Sequence, residues 1–167
     1  MSDVASGNIL VADHQGVYVI KMSGDVRLTL CISFDEFIES IFNRDDFCTV
    51  LFDLGDATGL DSTTLGLIAK LAIKSESQKQ IKPLIICHNP AIQRLLVTMG
   101  LDELCQLIAK PPEDYCQIAD FVALTPGNVD NEALVKAKVL ESHCVLMELN
   151  ENNRETFKDL VQTLKCG

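Results

Sequence analysis

The chain has 167 residues, 24 acidic against 14 basic, and 47% of them are apolar. A net charge of -10 repels phosphate backbones and anionic membranes, so neither nucleic acid nor membrane is an expected partner. This length suits one domain, or a domain with an appendage, and buries enough surface to need no disulfide or metal.

No apolar run approaches the roughly 18 residues of a membrane span. Met1 to Asn8 lacks the basic and apolar regions of a secretion signal. The seven cysteines are odd in number, and no two form a C-x-x-C. Most lie in apolar stretches, as free thiols do in a reducing cytoplasm, which is the expected location.

Residues 9–12 and 17–22 are rich in β-branched residues around His14-Gln15-Gly16, which predicts a hairpin. In residues 33–43, Phe34, Phe37, Ile38 and Ile41 recur at helical spacing, and Ser33 with Glu36 fits a capping box. Residues 49–54 form a short apolar strand that ends in a polar turn at Gly55-Asp56, and residues 62–79 a helix. Residues 83–88 predict another buried strand. Asn89-Pro90 opens a third helix that ends at Gly100, and residues 104–108 predict a last strand. The order ββαβαβαβ predicts a mixed sheet with helical crossovers over residues 8–109.

After Lys110-Pro111-Pro112 the pattern changes, and residues 111–167 read as an all-helical extension. A short helix is expected over 113–123, with Tyr115, Ile118, Ala119 and Val122 aligned, then a loop at Thr125-Pro126-Gly127-Asn128. Residues 130–149 carry a stripe of Ala133, Ala137, Leu140, Cys144 and Met147. Asn152 with Glu155 resembles a second capping box, ahead of Phe157, Leu160, Val161 and Leu164. Such stripes need a cover, either the α/β layer or a second copy in a homodimer.

Catalytic patterns are weak. His14, His88 and His143 are scattered without metal-ligand spacing, and no phosphate-binding or dinucleotide loop occurs, so neither a cofactor nor an enzyme is expected. Neighbours on one helix point about 100° apart, so Ser142-His143-Cys144 cannot form a nucleophile–base pair among themselves. They read as a helix-surface histidine beside a core cysteine.

The stretch from Leu51 to Leu67 stands apart. Its strand leads into a turn, and Asp61 can cap the next helix and leave Ser62 in the first turn with its hydroxyl outward. Plain helix capping is the alternative. Gly66, Ala69 and Ile73 either admit a partner's backbone or pack on the sheet. Residues 34–61 hold eight acidic residues against one basic, Arg44, so a phosphate added here would burden a docked partner more than the fold.

This stretch resembles the signature of STAS domains, the fold of bacterial anti-sigma factor antagonists. Asp53, Asp61-Ser62-Thr63 and Gly66 carry the likeness, supported by the element order, Gly24-Asp25 and Asn89-Pro90. The extension, through Leu146 to Asn152, is similar to that of proteobacterial antagonists that govern motility and biofilm switches. The resemblance implies a phosphoacceptor at Ser62, with Thr63 in reserve because Thr63 and Thr64 follow where serine is commoner. It also implies partner switching. An anti-sigma factor of GHKL ATPase type binds the unphosphorylated antagonist and phosphorylates it, and a PP2C-type phosphatase resets it. Docking is expected at Asp56, Asp61, Ser62, Thr63, Gly66 and Ala69. Two rivals remain: a non-switching STAS scaffold in a transport or lipid-trafficking complex, and a small hydrolase, against which the missing base argues.

Overall fold

The computed structural model describes residues 7–126 and 130–166. Gly127 and Asn128 of the expected loop lie outside the described residues, as does most of the N-terminal segment.

Strand β1 (Asn8–His14) turns into β2 (Val17–Val26) through two residues with positive φ, Gln15 at 53° and Gly16 at 86°. That is the turn whose twist suits a tight hairpin. Helix α1 (Cys31–Phe42) crosses to β3 (Thr49–Leu60), α2 (Ser62–Lys79) to β4 (Leu84–Ile86), and α3 (Pro90–Thr98) to β5 (Gln106–Ile108). The pairs β2–β3, β3–β4 and β4–β5 are parallel, and β1–β2 is antiparallel, giving the expected mixed sheet.

Side chains alternate across this sheet. Ile20, Met22, Phe52 and Leu54 enter the main core beneath the helices, whereas Val19 and Leu51 face the other side. Asn89 caps α3 by accepting the Ala91 N–H at 2.9 Å, as the Asn-Pro pair predicts.

Several expectations need correction. Residues 55–60 are not a polar turn but the second half of β3. Lengthened β2 supplies their ladder partners, Ser23 to Asp56 and Asp25 to Gly59, across two register shifts. A β-carbon on Gly59 would lie 2.7 Å from Asp25 Oδ1, and the Asp25 side chain would have to turn aside to admit it. Helix α1 starts at Cys31, after a 3-10 turn at Leu28–Leu30, and Ser33 is therefore inside it. Its hydroxyl donates to the Thr125 carbonyl and caps nothing.

The segment expected as a helix over 113–123 is a 3-10 turn (Glu113–Gln117) followed by β6 (Val122–Ala123), which pairs antiparallel with β1. Its sheet order is β5-β4-β3-β2-β1-β6. The chain thus crosses from one sheet edge to the other over the helix-free face. Tyr115, Ile118 and Phe121 cover Val19, Leu51 and Ile86, and Asp120 at φ 62° interrupts helical geometry.

Helices α4 (Glu132–Leu149) and α5 (Glu151–Cys166) complete the extension. Helix α4 lies on α2, also touching α1, and α5 lies on α4. The expected α4 stripe does not form the buried face. Ala133 and Ala137 are exposed and Cys144 is half-buried, while Ser142, His143 and Leu146 are buried. That face meets polar groups of α2, so hydrophobic spacing does not mark it. Helix α5 is capped by Asn150, whose Oδ1 accepts the Asn153 N–H at 2.7 Å, and not by Asn152. Phe157 and Val161 are buried as expected, but Leu160 is exposed. The cover for these side chains comes from this chain itself.

Candidate functional site

The strand–helix junction is built from β3 and α2. Two residues past Asp53, β3 shifts register against β2, and Asp53 Oδ1 accepts the Gly55 N–H at 2.9 Å. Tyr115, from the segment crossing the sheet, donates its hydroxyl to Asp53 Oδ2. Burial pushes the Tyr115 phenol up, and the hydrogen bond to Asp53 pushes it further, so the hydroxyl stays a donor. Asp56 is exposed and pairs with Lys21 at 3.7 Å.

Asp61 is the α2 N-cap. Its backbone is extended, and its Oδ1 accepts the Thr64 N–H at 2.9 Å. Ser62 follows as the first helical residue, where N–H groups without intrahelical partners favour an anion.

The hydroxyl expected to point outward is instead held. Ser62 Oγ lies 2.7 Å from His143 Nε2, and Ser62 is half-buried. His143 Nδ1 lies 2.6 Å from the Val139 carbonyl oxygen, which can only accept. In the neutral ring Nδ1 therefore carries the hydrogen, and Nε2 accepts the Ser62 hydroxyl. His143 is 2% exposed, with the Phe157 ring edge-on at 5.0 Å between centroids. It is not the helix-surface residue expected, because α4 turns it toward α2.

This placement changes the docking expectation for other residues. Thr63 is 3% exposed and Ala69 0%, so both lie in the chain's own core. Gly66 does admit a close backbone, but the backbone is that of α4. A β-carbon on Gly66 would sit 2.3 Å from the Ser142 carbonyl oxygen. Only Asp56, Asp61 and Ser62 of the expected surface retain access to solvent.

Beside this contact lies a group of charges that hydrophobic spacing does not reveal. Asp35 of α1 is 2% exposed and pairs with Lys70 of α2 at 2.7 Å and Lys138 of α4 at 2.5 Å. Lys70 also meets Glu141 of α4 at 2.5 Å and Glu39 of α1 at 3.2 Å. Burial pushes the Asp35 carboxyl up, but hydrogen bonds from Lys138 and Lys70 outweigh it and hold it below the usual carboxylate range. Burial lowers Lys70, yet Asp35 and Glu141 raise it well above an ordinary lysine. Two of the eight acidic residues over 34–61, Asp35 and Glu39, are thus paired with these lysines.

A serine within reach of a histidine is also the beginning of a nucleophile–base pair. Here a backbone carbonyl, and no carboxylate, orients the ring. The 350 Å³ groove beside Leu28 and Val135 and the 530 Å³ groove beside Leu84 and Tyr115 are lined by neither Ser62 nor His143. At this junction the geometry holds the Ser62 hydroxyl on His143.

A mixed sheet, an acid beside the register shift of its central strand and a serine opening the next helix define a STAS-type module. The chain belongs to the STAS domain family, whose model matches residues 8–113. It is 27% identical over 109 residues to the anti-sigma-F factor antagonist RsfB of Mycobacterium tuberculosis, in strains CDC 1551 / Oshkosh and ATCC 25618 / H37Rv. That similarity covers 65% of this chain and 87% of the relative. The crystal structure of an anti-sigma factor antagonist from Mycobacterium paratuberculosis matches with a TM-score of 0.57 and 24% identity, over 72% of this chain and all of that one. These relatives are regulators by name, and residues 114–167 lie beyond the family match.

Proposed function

We propose that this chain is an anti-sigma factor antagonist that works by partner switching. In its unphosphorylated form it binds an anti-sigma factor with a GHKL-type kinase fold at the β3–α2 junction. Phosphorylation of Ser62 releases it, and a PP2C-type phosphatase restores it. The output is transcription by the freed sigma factor, with motility and biofilm genes as its field. The protein contributes a surface and an acceptor, not catalysis.

One observation carries this reading: Ser62 is the first residue of α2, directly after its N-cap Asp61. A phosphate there meets the helix N-terminus, which favours an anion by about 0.3–1 kcal/mol, so the α/β layer tolerates it. The same group adds negative charge beside Asp56 and Asp61, where a partner would dock.

A specific contact favours a second reading, a non-switching scaffold in a transport or lipid-trafficking complex. Ser62 already has a structural partner in His143. Titration of wild type, Ser62→Ala and Ser62→Asp against the anti-sigma factor separates the two. Switching requires Ser62→Asp to bind more weakly than Ser62→Ala, part of the loss shrinking as salt rises. Equal binding by both variants supports the scaffold.

A further inference from the structure

The face that partner switching requires is covered by the chain's own C-terminal part. Ser62 ends on His143, Gly66 lies against the Ser142 backbone, and Asp53 takes the Tyr115 hydroxyl. Residues beyond β5 thus hold Asp53 and Ser62, two polar residues of the β3–α2 signature. We propose that α4 and α5 form an intramolecular cover, so that α4 occupies the docking face of α2 and lifts away before Ser62 is phosphorylated or a partner binds. This inference rests on reading Ser62 as the switch residue.

Two features argue for a cover that opens. First, a phosphoryl group would replace the hydrogen that Ser62 Oγ donates to His143 Nε2, so modification breaks the bond that ties the first turn of α2 to α4. Second, beside an apolar anchor, Leu146 and Phe157 in the main core, much of the joint is polar. Helix α2 meets the sheet side through Leu65, Ile68, Leu71 and Ala72, all in the apolar core. It meets α4 through Ser62, Gly66 and Lys70, opposite His143, Ser142 and Glu141. Charges and hydroxyls regain water on separation, which offsets the loss of their partners more than for apolar side chains. Even the anchor beyond α4 is incomplete. Asn153 Nδ2 donates to the Met99 and Leu146 carbonyls at 2.8 Å, but its buried Oδ1 has no partner among the described residues.

The test uses the full chain with Lys138→Glu, which sets a second carboxylate against Asp35, and independently Ser142→Leu, which crowds Gly66. Amide exchange is followed by mass spectrometry in α4, in the first turn of α2 and in β2 and β3. The inference expects exchange about 10-fold faster or more in α4 and the α2 turn, with β2 and β3 unchanged. In a second arm, the cognate anti-sigma kinase and ATP should phosphorylate Ser62 faster in the opened variants than in wild type. If neither variant speeds exchange in α4, or if β2 and β3 lose protection together with α4 in both, the extension is a fixed part of the fold and the inference is overturned. If α4 opens without faster phosphorylation, the cover does not control access, although the switch reading stands on the wild-type reaction. If neither wild type nor the opened chains are phosphorylated, the switch reading itself fails.

Discussion

Ser62 and His143, 81 residues apart, meet at 2.7 Å, and that bond joins the first turn of α2 to the middle of α4. The bond gives the buried His143 Nε2 its partner. Replacing His143 by Ala leaves a gap beside Phe157 and frees the serine hydroxyl. We expect a destabilisation of about 2–3 kcal/mol, read from urea unfolding of the full chain. A loss below about 0.5 kcal/mol would mean that α4 carries little of the fold's stability through this ring.

At Gly66, propensity and packing oppose each other. Alanine favours a helix over glycine by about 1 kcal/mol. Its β-carbon would lie 2.3 Å from a backbone oxygen, which cannot rotate away as a side chain does. Gly66→Ala should therefore destabilise the full chain despite the better helix former. A higher urea midpoint than wild type would show that α4 does not rest on α2 in solution.

The charges around Asp35 set a pH dependence. Its folded carboxyl is depressed, so its contribution is present above the unfolded value of about 3.9 and is lost as pH falls through the folded one. Lys70 and Lys138 are raised, so their contributions are complete below the unfolded value of about 10.4 and are lost as pH rises through the folded values. Urea midpoints should thus be flat through neutrality and fall in acid. Asp35→Asn should lower the neutral plateau by at most about 3–5 kcal/mol and reduce the acid slope. The loss is bounded because Glu39 and Glu141 still hold Lys70. An unchanged acid slope would exclude Asp35 as its source.

Tyr115→Phe removes only the hydroxyl that Asp53 accepts. Asp53 Oδ1 keeps the Gly55 N–H, so the register shift in β3 should persist. A loss of about 1–2 kcal/mol is expected in urea, with Asp53→Asn costing less when combined with Tyr115→Phe than alone. Additive losses would mean that the two groups do not interact.

Much of this fold was legible where local chemistry and long-range packing agree. The hairpin turn at Gln15-Gly16, the caps at Asp61 and Asn89, and the apolar strands each announce themselves through nearby residues. The α4 interface does not, because it carries Lys138, Glu141 and His143, which apolar spacing does not mark. Their partners, Asp35, Ser62 and Lys70, lie on two other helices, and spacing within α4 carries no trace of them. Strand β6 has two residues, too few to show a period, and β3 was cut short because the partners of its glycine-rich half come from β2. Ser62 itself was found from its motif, whereas its burial depended on a helix folding back from the far end of the chain.

We propose that this STAS protein is switched through Ser62. Incubating the full chain with ATP and its cognate anti-sigma kinase, then measuring intact mass and mapping the modified residue, tests it most directly. One phosphoryl group per chain is expected on Ser62, abolished by Ser62→Ala. Modification confined to Thr63 would contradict the assignment to Ser62, and an unmodified 61–64 turn would contradict the switch.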